Sequence, residues 1–96
     1  MASVAFTGRA LADLERIFDF LAEQDPAMAG RVAELIMDAT VILQRHPMIG
    51  RPVRGAVREL VISHGRTGYV ALYRFLVQDR RVEVLAIRHQ REAGFG

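Results

Sequence analysis

The residue type in this chain with the most chemistry to offer is arginine: all 13 basic residues are arginine, and lysine is absent. A guanidinium is a planar, permanently charged fork that pairs at two points with a carboxylate or a phosphate. Arg51, Arg54, Arg58, Arg66, Arg74, Arg88 and Arg91, with His89 among them, crowd the second half of the sequence. Such a set suits docking on an anionic partner. It also suits a metal-free ribonuclease, in which arginines stabilise a pentacoordinate phosphate while a histidine or tyrosine moves protons. A plainer use competes with both: Arg58, Arg74 and Arg88 pairing with Glu59, Glu83 or helix carboxylates in weak surface ion pairs. His89, at the end of an apolar run, reads as a packed or capping side chain, and Tyr69 and Tyr73 read as core aromatics.

Other chemistry finds little support. The histidines fall at 46, 64 and 89, no two at the spacing of helical metal ligands, so neither a metal nor a cofactor is expected. No glycine-rich loop joins a strand to a helix as a nucleotide cradle would require. Ser3 and Ser63 lack a nearby histidine or a nucleophile elbow. Cysteine is absent, which removes disulfides and thiolate chemistry and fits a reducing cytoplasm. No apolar run is long enough to span a bilayer, and no basic segment leads into an apolar one at the N-terminus.

Charge is unevenly divided although the net is only +2. Residues 1 to 44 hold three arginines against seven carboxylates, and residues 45 to 96 hold ten against four. The acidic half and the basic half also differ in pattern. Ser3 to Phe6 reads as a short strand, and Thr7 as the cap of a helix beginning at Gly8. Leu11, Leu14, Ile17, Phe18 and Leu21 recur at helical steps. Asp25-Pro26 ends that helix and starts another, whose stripe is Met28, Val32, Leu35, Ile36, Ala39, Ile42 and Leu43. So short a link makes the two helices antiparallel neighbours, and Pro47 ends the second.

Met48 to Gly55 has glycine and proline at close intervals and no period, and reads as a loop. Val57 to Ser63 reads as a strand, His64 to Gly68 as a turn, Tyr69 to Val77 as a strand, Gln78 to Arg81 as a turn and Val82 to His89 as an alternating strand. Tyr69 to Val77 is apolar on both faces, with Tyr69, Ala71, Tyr73, Phe75 and Val77 on one and Val70, Leu72 and Leu76 on the other, which predicts a central place in the sheet. The expected architecture is α+β, in the order β-α-α-β-β-β. A helical hairpin packs on a small antiparallel sheet, forming one domain over residues 1 to 96 with a loosely held tail from Gln90.

Several of these stretches together resemble the RelE/ParE superfamily of toxins, including those known as plasmid-stabilisation proteins. They are Ala12 to Ile17 with Phe20 to Glu23, the bend His46 to Pro52, Arg58-Glu59-Leu60, the strand Tyr69 to Phe75, and Val82 to His89. The match runs through nearly the whole chain in order. The resemblance implies the toxin of a type II toxin-antitoxin system, neutralised by a cognate antitoxin whose disordered segment folds onto it. It implies one of two activities: ParE-like poisoning of DNA gyrase without covalent chemistry, or RelE-like cleavage of messenger RNA on the ribosome. A binding-only member is a third reading. The nuclease branch tends to carry an arginine three residues before the strand tyrosine, where this chain has Val70. Its YoeB-like members end the last strand with a histidine-tyrosine pair, where Gln90 and Arg91 stand. Both departures favour the gyrase branch, because valine cannot stabilise a phosphorane and glutamine carries no proton at neutral pH. The nuclease alternative keeps Arg66, Arg74, Arg88, His89 and Arg91 as candidates. The docking reading places antitoxin or target contacts at Arg51, Arg54, Arg58, Arg66 and Arg91.

Overall fold

Two side-chain caps shape the first half of the molecule. In the computed structural model, which describes residues 1–63 and 68–90, strand β1 (Ser3–Phe6) leads into helix α1 (Gly8–Gln24). The Thr7 hydroxyl accepts the Ala10 N–H at 3.2 Å at the start of that helix. Asp25 closes α1 and opens α2 (Pro26–Arg45), its carboxylate accepting the Met28 N–H at 3.2 Å. Each cap satisfies an amide that the helix leaves without a partner, and Pro26 at the first position loses nothing by lacking one. Ala10, Ile17 and Leu21 of α1 and Val32, Ile36, Ala39 and Leu43 of α2 are buried. Leu11 and Ile42, placed on the apolar stripes by their spacing, remain exposed at the margins.

The second half supplies β2 (Arg51–Arg54), β3 (Val57–Val61), β4 (Tyr69–Leu76) and β5 (Arg81–His89), and the sheet order is β1-β5-β4-β3-β2. The α+β class and the helical hairpin on a small sheet are as expected, and β4 lies at the centre. Two details differ. Residues 51 to 54, read as loop, form a fifth strand paired through Arg51 with Glu59, and Pro52 is tolerated because this is an edge. The sheet is also not wholly antiparallel, since β1 runs parallel to β5. The long helical connection after β1 is what permits a parallel pairing. Gly55, at φ +51, occupies the first position of the two-residue turn between β2 and β3, a conformation that glycine adopts without strain.

The helices cover one face of the sheet only. Tyr69, Ala71 and Tyr73 of β4 and Val82, Val84 and Ile87 of β5 join the helical side chains in one core. Strict alternation cannot send 82, 84 and 87 to the same side. A bulge at Leu85 does so, because the register with β4 slips between Leu72↔Ala86 and Tyr73↔Val84. Of the turn expected over His64 to Gly68 and the tail expected from Gln90, residues 64–67 and 91–96 lie outside the described residues.

Candidate docking site on the open face of the sheet

Cross-strand register fixes which side chains share the opposite, helix-free face, the open face, on which Val70, Leu72 and Ala86 are nevertheless buried. One row reads Arg51, Glu59, Leu72, Ala86, a second Val61, Val70, Arg88, and a third Arg74, Glu83, Ala5. Arg81 joins this face beside Ser3. Around Leu72 and Ala86 lies a cleft of about 340 Å³ lined by Arg9, Val53, Arg54, Val57, Leu72, Leu85, Ala86 and Arg88. Among these residues the floor is aliphatic, the rim carries three guanidinium groups, and no carboxylate takes part.

The bulge and the start of α1 build this cleft together. Past Phe6 there is no β1 residue beside β5, so the backbone there needs other partners. The Thr7 hydroxyl donates to the Leu85 carbonyl at 3.2 Å, and Asp13 accepts the Ile87 N–H at 3.0 Å. These two contacts hold the first turns of α1 against the bulge and bring Arg9 to the rim. Arg9 was not among the residues singled out from the sequence, yet a signal was present. A cation in the first helical turn opposes the helix dipole, and no acidic residue offsets it there.

The other arginines divide by position. Arg74 lies 2.8 Å from Glu83, with Arg81 3.5 Å from the same carboxylate, and Arg51 lies 3.1 Å from Glu59. Arg74 and Arg51 thus take the plainer role of ion pairing while keeping exposed guanidinium surface. Arg54 and Arg88 line the cleft. Arg58, expected to face a partner, points instead to the helix-covered side in register with Tyr73. There it donates to the carbonyls of Gly50 at 2.7 Å and Met48 at 3.1 Å, and so belongs to the scaffold. Arg66 and Arg91 lie outside the described residues.

The histidine and the tyrosines stand away from the cleft. His89 faces the helical side beside Tyr69, their rings edge to face with centroids 5.3 Å apart. Tyr73 is fully buried, and its hydroxyl accepts the Gly50 N–H at 2.7 Å. Burial raises its pKa above the ordinary tyrosine value, against the opposing pull of that hydrogen bond and of Arg58. A Cβ on Gly50 would lie 2.6 Å from the Tyr73 ring and 2.8 Å from the Glu59 carbonyl. The glycine in the bend is therefore required by close packing on the tyrosine. Among the described residues, no cluster of histidine or carboxylate could hold a metal, and no helix is long and apolar enough to cross a membrane.

A two-helix layer on one face of a five-stranded sheet is the fold shared with solved RelE/ParE-type toxins. The chain matches the family model described as ParE toxin of type II toxin-antitoxin system, parDE, over residues 4–94, and it belongs to that family. It is 38% identical to Toxin RelE2 of Caulobacter vibrioides, covering 93% of this chain and 96% of that one. Among solved structures, the chromosomal ParDE system of P. aeruginosa superposes with a TM-score of 0.73 at 28% identity, covering 93% of this chain and 96% of that chain. The RelBE2 toxin-antitoxin complex of Mycobacterium tuberculosis gives 0.63 at 25% identity, covering 95% and 93%. The protein is a toxin of a type II toxin-antitoxin system.

Proposed function

We propose that this toxin acts by docking on DNA gyrase and stabilising a cleaved DNA state, without covalent chemistry of its own, and that a cognate antitoxin silences it by covering the open face. The observation that carries this reading is the composition of the cleft. Arg9, Arg54 and Arg88 ring an aliphatic floor, and no histidine, tyrosine or carboxylate is among its described lining residues. Electrostatic attraction is available there, but a nuclease also needs a group that takes and returns a proton. His89 and Tyr73 face the helices, and Glu59 and Glu83, which lie on the open face, are held in ion pairs by Arg51 and Arg74.

The alternative is RelE-like cleavage of messenger RNA on the ribosome, to which the name of the Caulobacter relative lends weight. The two activities separate in one pair of assays. Purified toxin is added to gyrase with relaxed plasmid, and separately to ribosomes translating a defined message. Blocked supercoiling with trapped cleaved plasmid, and intact message, is the expected result. Cleaved message with normal supercoiling would overturn the proposal.

A further inference from the structure

The outer faces of the two helices are not equivalent. In α1 the exposed large apolar side chains, Leu11 and Phe20, stand far apart along the helix, as scattered surface residues do in most soluble domains. In α2 two of them adjoin: Met37 is 69% exposed and Val41 is 47% exposed, one turn apart on the same side of the helix. That side is turned away from the sheet, because Ile36, Ala39 and Leu43, on the other side, pack toward Ala71, Val84 and Ile87.

Two opposite charges bracket the apolar pair. Glu34 precedes Met37 by three positions and Arg45 follows Val41 by four, so both exposed charges lie on the same side of α2 as the pair between them. Neither Glu34 nor Arg45 takes part in an ion pair among the described residues. Their separation is eleven residues, about three turns of helix. An antiparallel copy of α2, related by a two-fold axis midway between them, therefore sets Glu34 against Arg45 twice, once at each end of the contact. Met37 and Val41 of the two copies interleave between these pairs. A parallel copy would instead set Glu34 against Glu34 and Arg45 against Arg45. A helix of another protein would have to carry the same charges in reverse order, which a second copy of this chain does by symmetry.

We infer that the toxin self-associates through the outer side of α2, as an antiparallel helix pair across a two-fold axis. A contact of one helix on another is small, so the association belongs to the weak, transient class. Because α2 lies across the sheet from the open face, the contact leaves both open faces uncovered, and the pair of toxins is bivalent toward whatever docks there. Sedimentation of the purified toxin through a micromolar to millimolar concentration series should show a monomer–dimer equilibrium that weakens as salt rises. Glu34→Arg and Arg45→Glu each place like charges at both ends of the contact, so each should weaken the dimer at least about tenfold at low salt. The combined Glu34→Arg/Arg45→Glu variant restores both pairs with the signs exchanged and should return the dimer close to wild-type strength. Melting temperatures should differ little among these variants, since both side chains are exposed. Val41→Glu should leave the toxin monomeric, and if it folds poorly the charge variants carry the test. A wild-type toxin that is monomeric throughout the series overturns the inference, and loss of antitoxin binding in Val41→Glu would then assign this side of α2 to the antitoxin. A dimer indifferent to both single reversals, or not rescued by the double, has its interface elsewhere and overturns it too.

Discussion

The two faces of the sheet use arginine in opposite ways. On the covered face Arg58 is half-buried and spends its guanidinium on the carbonyls of Met48 and Gly50, fixing the bend that leads from α2 into β2. On the open face Arg51 pairs with Glu59, Arg74 and Arg81 share Glu83, and Arg9, Arg54 and Arg88 line the cleft. The difference teaches that the number of arginines says little about a binding surface. What matters is how many remain after internal pairing, and on which side of the sheet they lie. On the covered face substitutions should act on stability, whereas on the open face they should act on partners.

The strongest way to break that division is at Gly50. Gly50→Ala forces a methyl against the Tyr73 ring and the Glu59 backbone, so it should destabilise the protein by about 3 kcal/mol, read by denaturant unfolding. A loss under about 1 kcal/mol would mean that the bend yields easily. Asp13→Ala strips the Ile87 N–H of its acceptor and should cost about 2 kcal/mol, with Asp13→Asn recovering most of it. If alanine and asparagine behave alike, the carboxyl oxygen is not what holds the bulge.

Tyr73→Phe leaves the Gly50 N–H without its acceptor inside the fold and should cost about 1 to 2 kcal/mol near neutral pH. Its pH dependence carries a sign. Because burial raises the Tyr73 pKa in the folded state, the unfolded chain ionises first, near the ordinary value of about 10. The stabilisation from keeping the phenol protonated is fully present below that pH and is lost as pH rises through the higher folded value. Titrated unfolding should therefore show a smaller alkaline loss in Tyr73→Phe than in wild type. The smallest effect is expected at Arg74, where the exposed pair with Glu83 should contribute under about 1 kcal/mol, so that Arg74→Ala barely moves the melting temperature.

The helical hairpin was legible because its signals are local: Thr7 and Asp25-Pro26 mark the caps, and the apolar steps need only a few turns to declare themselves. The central strand announced itself by being apolar on both faces. What stayed hidden depends on pairing between distant segments. Residues 51 to 54 have too few residues and too much proline to look like a strand until Glu59 lies opposite Arg51. Strict alternation through 82 to 89 assigns Ile87 to the same face as Glu83, and only the bulge at Leu85, held by Thr7 and Asp13 from α1, reverses that. The candidate site suffered the same way. Arg54 and Arg88 were visible as members of a basic half, but Arg9 reaches the cleft from the acidic half, and Arg58 leaves the docking set because its register places it beside Tyr73.

The central claim is that the open arginine face is a docking surface which the protein does not need for its own stability. Its most direct test is the affinity of the Arg9→Glu/Arg54→Glu double variant for the antitoxin encoded beside the toxin, measured at low and at high salt together with the melting temperature. The account predicts a melting temperature within a few degrees of wild type. It also predicts affinity at least about tenfold weaker at low salt, and a clear flattening of the salt dependence shown by the wild-type complex. Unchanged affinity at both salt concentrations, in a variant that folds as well as wild type, would contradict it.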